Sequence, residues 1–260
     1  MIIDSHRHLV KSDTESFRES VAIFLSDMKS NSIEKSVVIA DNLSDSNTAN
    51  TKTLIDIFSG NDSVCIIGAI NPSQNLSDQE EYFEKLLREK YIIGLKLFNG
   101  FDKIFPTDKK CFLTYKLAQK YNVPVIFHTG INIDDNESAK FNDPKYIVEI
   151  ANKFPRVSFL ISHFYWPEVE YCLEITKGVK NIFLDTTVLA EPEAVELIGK
   201  ENILKTLEEA ISLKPNKVIF GSDYPSCETR RAIDLICELN VSKSQKDKVF
   251  AENSIDLFNI

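Results

Sequence analysis

Four histidines occur in this 260-residue chain, at positions 6, 8, 128 and 163. An imidazole can offer a nitrogen lone pair to a divalent ion, and near neutral pH it can give or take a proton. His6 and His8 are separated by one residue. In a strand, residues i and i+2 face the same way, so this pair can aim two rings at one point. Arg7 between them then faces away, where a salt bridge or packing beneath helices is expected. A carboxylate would complete a metal site, and Asp223 in Phe220-Gly221-Ser222-Asp223-Tyr224-Pro225 is the candidate. Lys96 stands between Leu95 and Leu97. An ammonium in so apolar a run either snorkels to a rim or carries a role.

Bringing residue 6 beside residue 223 demands a particular scaffold. Eight short apolar runs rich in Ile and Val recur, at 2–4, 36–40, 64–70, 92–98, 123–128, 157–163, 182–186 and 218–222. Most are continuous rather than alternating, as strands are when helices cover them. Helical patterns lie between the runs. Phe17, Val21, Phe24, Leu25 and Met28 share one face. Asp143-Pro144 reads as the cap and first residue of a helix carrying Ile147, Ile150, Ala151 and Phe154. Pro167 is expected to open a helix with Val169, Cys172 and Leu173, and residues 252–258 form a closing helix. Eight βα units without a linker predict an α/β fold. The reading is a single (β/α)8 TIM barrel, one domain over 1–260, with an open doubly wound sheet as the alternative. In the barrel the histidines fall at or just past the C-terminal ends of strands one, five and six. Asp223 ends strand eight, which closes against strand one. The stretches 99–107 and 129–143 read as long aperiodic loops on that same face.

Composition narrows the function. Lys and Arg total 30 against 39 Asp and Glu, a net charge of −9. That sign disfavours a nucleic-acid binder, so no nucleic-acid partner is expected. No two of the eight glycines are spaced G-x-G, which removes the dinucleotide fingerprint; the P-loop and the G-x-S-x-G elbow are absent too. No apolar run is long enough to span a membrane, and no signal-peptide pattern is present. Five cysteines without C-x-x-C fit reduced thiols, so a cytoplasmic location is expected. Four of them read as small core residues, and Cys227 as a helix-start residue rather than a reactive thiol.

Further stretches sharpen the pattern. These are Ile3-Asp4-Ser5-His6-Arg7-His8, Ile93-Gly94-Leu95-Lys96-Leu97 and Glu252-Asn253-Ser254-Ile255-Asp256-Leu257-Phe258. Phe127-His128-Thr129-Gly130 and Ser162-His163 fall in order between them. With the Asp223 motif, they make the chain resemble the amidohydrolase superfamily over essentially its whole length. The nearest branch holds the aminocarboxymuconate semialdehyde decarboxylase-like and lactonase-like enzymes. The resemblance implies that His6, His8, His128 and Asp223 bind a catalytic divalent metal, most often zinc. His163 would support that site or ligate a second ion. In binuclear relatives a carboxylated lysine ending strand four bridges two metals, and Lys96 occupies that position. The branch resembled usually holds one metal, with the lysine unmodified. TatD-like deoxyribonucleases share H-x-H and the barrel, but their glutamate motif in the middle strands is missing here.

The leading expectation is hydrolysis of a lactone, amide or related carbonyl or imine bond in a small molecule by a metal-activated water. Asp223 would take the water's proton, and His163 would hydrogen-bond the developing oxyanion or aid proton transfer. Lys96 could pair with a substrate carboxylate, and Trp166 and Tyr224 could form pocket walls with Phe98, Phe101, Phe105 and Tyr165. The same ligands would serve a non-oxidative decarboxylase. A barrel that binds metal without catalysis is the remaining alternative.

Overall fold

The structure, a computed structural model, describes residues 1–12, 16–43, 46–131 and 135–260, with main chain only at Asn136. Eight parallel strands form one sheet in chain order: β1 (Ile3–Arg7), β2 (Lys35–Ile39), β3 (Val64–Ala69), β4 (Gly94–Leu97), β5 (Val125–Phe127), β6 (Phe159–Ile161), β7 (Ile182–Asp185) and β8 (Val218–Ile219). The sheet curls until its ends meet. Ser5 N–H donates to Phe220 O at 3.0 Å, Asp223 N–H to His6 O at 2.9 Å and His8 N–H to Tyr224 O at 2.7 Å. This is the expected TIM barrel.

Strand alternation sorts the apolar residues into two cores. Val37, Ile39, Ile67, Ile126, Leu160, Phe183 and Ile219 point inward and fill the barrel, with Leu257 and Phe258 of the closing helix packed against them. The other residues of the same strands meet the outer helices. Phe24 and Met28 of the helix Phe17–Ser30 belong to this second core. Two residues beyond Ile126, Leu160, Phe183 and Ile219, on the same inward faces, come His128, Ser162, Asp185 and Gly221. An apolar plug thus gives way to a polar layer at the C-terminal mouth.

Several boundaries differ from expectation. The strands end earlier than the apolar runs, most clearly at β6, which stops at Ile161. Ser162–Tyr165 is a tight turn, and His163, Phe164 and Tyr165 all have positive φ, at 60, 50 and 56°. Residues 99–107 are not wholly aperiodic, since Asn99–Asp102 forms a helical turn. Within 129–143 the described part includes the 3₁₀ segment Asn136–Phe141; residues 132–134 lie outside the described residues. Asp143 does cap the helix Pro144–Lys153, accepting from Lys145 N–H at 2.9 Å. Pro167 precedes its helix, Val169–Thr176, rather than opening it. The closing helix starts at Asn253, after a wider turn over Lys248–Glu252. Cys237 is exposed, because its helix turns that face to solvent, whereas Cys111, Cys172 and Cys227 are buried. Burial pushes the Cys227 thiol up, against reactivity.

Candidate metal centre

All four histidines converge at the mouth. His8, His6, His163 and His128 form a chain of neighbouring rings, with successive centroids 5.2, 5.1 and 4.7 Å apart. Asp223 joins them from beyond β8. Its Oδ1 lies 3.4 Å from His6 Nε2 and 3.5 Å from His8 Nε2. Asp223 has φ 65°, a left-handed conformation that Asp tolerates better than most residues. That bend turns the carboxylate back toward β1. Gly221 permits the close approach, since a Cβ there would stand 2.8 Å from both His6 Cβ and Thr187 Cγ2.

Hydrogen bonds fix where the imidazole protons sit. His6 Nδ1 is 2.8 Å from Asp185 Oδ2, an acceptor, so that nitrogen carries the proton. His8 Nδ1 is 3.0 Å from Ile39 O, with the same consequence. Both rings therefore turn Nε2, the nitrogen left to ligate, toward one oxygen of Asp223. Among the described residues, buried His6 Nε2 has no hydrogen-bond partner. Two imidazoles and a carboxylate around one point fit a divalent transition ion, and His6, His8 and Asp223 form a three-donor group among the described residues.

Asp185 was not foreseen. It lies fully buried at the end of β7 and accepts from His6 Nδ1–H, from Thr187 Oγ1 at 2.5 Å and from His163 N–H at 2.7 Å. A carboxylate ending the apolar run Ile182-Phe183-Leu184-Asp185 was the available signal. Burial would raise its pKa, but the attraction of His6 and then its hydrogen bond outweigh that and bring it to about 2. Thr187 spends its proton on Asp185, so its oxygen must accept from His163 Nδ1 at 2.8 Å. His163 Nε2 is then a lone pair, and His128 Nδ1, 3.1 Å away, donates to it. In this arrangement His163 offers no proton to an oxyanion, as had been expected of it; the proton is held on the far side by Thr187. Burial, with repulsion from His6 and Lys96 only partly offset by Asp223 and Asp185, lowers His163 to about 4 and keeps it neutral. His6 is also lowered, first by burial and then by Lys96. Asp223 is held below the usual carboxylate range despite burial, by its His8 hydrogen bond and the nearby His163 and His6.

The other sequence candidates are placed as follows. Lys96 is fully buried, its Nζ 3.1 Å from Ser162 Oγ and 5.2 Å from the Phe98 ring centre. Burial lowers it to about 8, with Asp185 and Asp223 opposing. Over the metal group opens a cleft of two lobes, about 230 and 550 Å³, both bordered by Phe101, His128, His163, Asp223 and Ser226. Phe98 lines the smaller lobe and Trp166 the larger. Lys96 and Tyr224 are not among the described residues lining either. Tyr224 instead covers the Arg7 guanidinium, 4.2 Å from Cζ to ring centre. Arg7 faces away from the site as expected, with Nη2 2.5 Å from Asp27 Oδ2 and Nη1 3.4 Å from Asp4 Oδ2.

The family model for amidohydrolases matches residues 3–260. The chain belongs to the amidohydrolase family. Members of this family are metal-dependent enzymes acting on small molecules, hydrolases and decarboxylases among them. Among solved structures, a TIM-barrel protein from Bordetella bronchiseptica aligns with 99% of this amidohydrolase-family chain and 98% of its own, at 18% identity and TM-score 0.81. An amidohydrolase from Burkholderia multivorans with bound zinc aligns over 100% and 99%, at 11% identity and TM-score 0.75. The 5-carboxyvanillate decarboxylase of Sphingomonas paucimobilis aligns over 100% and 99%, at 12% and 0.67. At such identities the likeness to these structures shows the shared barrel. A comparison with curated proteins finds no match. No helix of the described residues is long and apolar enough to cross a membrane.

Proposed function

We propose that this amidohydrolase is a metal-dependent hydrolase of a lactone, amide or related carbonyl bond in a small molecule. The observation that carries the reading is the pair of imidazoles, His6 and His8, each with Nδ1 engaged and Nε2 turned to one oxygen of Asp223 on the floor of the cleft. His6, His8 and Asp223 would hold the ion, zinc by its donor set, with His128 and His163 beside it. Bound there, a divalent metal supplies Lewis acidity, polarising a carbonyl and making water acidic near neutral pH.

The chain's own groups supply the rest. Asp223 is ionised at neutral pH and borders both lobes, so it takes the attacking water's proton and returns it to the leaving group. Asp185 holds His6 in its ligating tautomer and, through Thr187, fixes the His163 proton on Nδ1. Phe98, Phe101 and Trp166 give the cleft apolar walls that exclude water from the acyl group.

The test is metal analysis followed by hydrolysis assays on neutral lactones and amides. About one zinc per chain is expected, with turnover lost on chelation and restored by added zinc. The variant with both His6→Ala and His8→Ala should fold yet bind no metal. Full stoichiometry in that variant would overturn the assignment of ligands. Carbon dioxide release from an acid substrate, without hydrolysis, would make the protein a decarboxylase.

A further inference from the structure

The charges lining the cleft are all of one sign. Asp41 and Asp223 border the smaller lobe; Asp135, Glu191, Glu193 and Asp223 border the larger. No lysine or arginine lines either lobe among the described residues. The eight residues outside that set are Asp13, Thr14, Glu15, Ser44, Asp45, Asn132, Ile133 and Asp134, and they include no lysine or arginine.

Nearby cations are already engaged. Lys103 Nζ is 3.3 Å from Asp135 and Arg231 Nη1 2.5 Å from Glu191, so each answers a wall carboxylate. Lys96 lies buried below, on Ser162. Asp41 is different. Its Oδ1 accepts only main-chain N–H groups, from Asn42 at 2.6 Å and Leu43 at 3.1 Å. No cation pairs with it among the described residues. Behind it, Asn42 Nδ2 donates to Asp102 at 3.3 Å, and that carboxyl is pushed up to about 6 by burial, with Asp41 adding to the rise. The smaller lobe therefore ends in a carboxylate that no cation of the described residues answers, with the Asp102 carboxyl behind it.

We infer that the substrate carries no carboxylate, and that it places a hydrogen-bond-donating group, an ammonium foremost, against Asp41 while its acyl group lies over His6, His8 and Asp223. The inference rests on the proposed hydrolase reading and names the substrate class of that same cleft. An anionic substituent set against Asp41, at the end of the lobe away from the proposed metal, would meet a like charge with no cation of the described residues beside it, and like-charge juxtaposition is a strong means of rejecting a ligand. An ammonium gains a charge-assisted hydrogen bond there. Phe98, Phe101, Val10 and Leu43 supply the apolar contact for the carbon skeleton between the two ends.

Binding of benzylamine, benzyl alcohol and benzoate to the zinc-loaded protein, measured by calorimetry, tests this. Benzylamine should bind at least about tenfold more tightly than benzoate, with benzyl alcohol between them. Asp41→Asn keeps the oxygen that accepts from Asn42 and Leu43, so the loop retains its hydrogen bonds. It should weaken benzylamine about tenfold and leave benzyl alcohol unchanged. Benzoate binding as tightly as benzylamine overturns the inference, as does benzylamine failing to bind at millimolar concentration or ignoring Asp41→Asn. Hydrolysis of γ-butyrolactone, its α-amino derivative and its γ-carboxylate is followed on the same preparations. A protein that prefers benzylamine but hydrolyses none of a broad lactone and amide panel would fail the hydrolase reading alone. One that hydrolyses the carboxylate fastest would keep that reading and lose this one.

Discussion

Asp185→Asn isolates the carboxylate that was invisible as a ligand yet sets the state of one. Three donors, His163 N–H, Thr187 N–H and Thr187 Oγ1–H, converge on Asp185 Oδ1, so the amide oxygen of Asn must take that position. The amide NH₂ then faces His6 Nδ1. Two N–H groups cannot share that 2.8 Å contact, so His6 moves its proton to Nε2, where the metal's lone pair was. Loss of such a support costs about 10–100-fold in metal affinity, or about 1.4–2.7 kcal/mol. At a fixed saturating zinc concentration the zinc-induced rise in Tm should shrink by about 3–5 °C, at about 2 °C per kcal/mol for a chain of this length. The metal-free protein should change less, because the relocated proton points at Asp223 Oδ1, 3.4 Å away. Chelator-competition titration and calorimetry with and without zinc provide both numbers. A zinc Kd within about threefold of the parent, and an unaltered zinc-induced Tm rise, would refute the tautomer argument.

Other outcomes follow from the same geometry. Asp223→Asn should keep the left-handed backbone, which Asn also adopts, and retain part of the metal, yet lower kcat about 10²-fold or more; near-parental turnover would remove Asp223 as the proton acceptor. Burial lowers Lys96 from 10.5 to about 8, so the unfolded chain holds that proton more tightly and metal-free stability should rise between about pH 8 and 10.5. Lys96→Met should flatten that rise in denaturant titrations across pH, and stabilise the metal-free protein at pH 7 by up to about 3 kcal/mol. Gly221→Ala forces a methyl to within 2.8 Å of His6 Cβ and should cost about 1–3 kcal/mol of stability together with weaker zinc binding; an unchanged zinc Kd would show that β8 can retreat without disturbing His6.

The barrel was legible because inward and outward strand faces are both apolar, which writes each strand as a continuous run. The H-x-H pair was legible because period-two geometry needs no tertiary information. Strand ends were not, and β6 shows why. His163 belongs to an apolar run by composition. It leaves the strand because its N–H is captured by Asp185, a residue 22 positions away, which holds a non-glycine residue at positive φ. Tyr224 reads as a pocket residue from its neighbour Asp223, but Arg7 supplies a cation for it to cover, and that pairing crosses the barrel's closing seam. Asp185 escaped notice because aspartate at a strand end is common, and only its hydrogen bonds to His6 and Thr187 distinguish it.

The seam between β8 and β1 joins parts of the chain that are far apart in synthesis. Asp4 and Ser222, 218 positions apart, share a 2.6 Å hydrogen bond there, and the proposed ligands His6 and Asp223 straddle the same line. A ribosome-bound chain would expose H-x-H with the first strand of the barrel but could not complete the donor set until the eighth had emerged. Metal capture would then be a late event that clasps the ring shut and adds binding energy to closure. Zinc uptake during synthesis would therefore report the moment the circle is complete, and zinc starvation would be felt as slower maturation before it was felt as lost turnover.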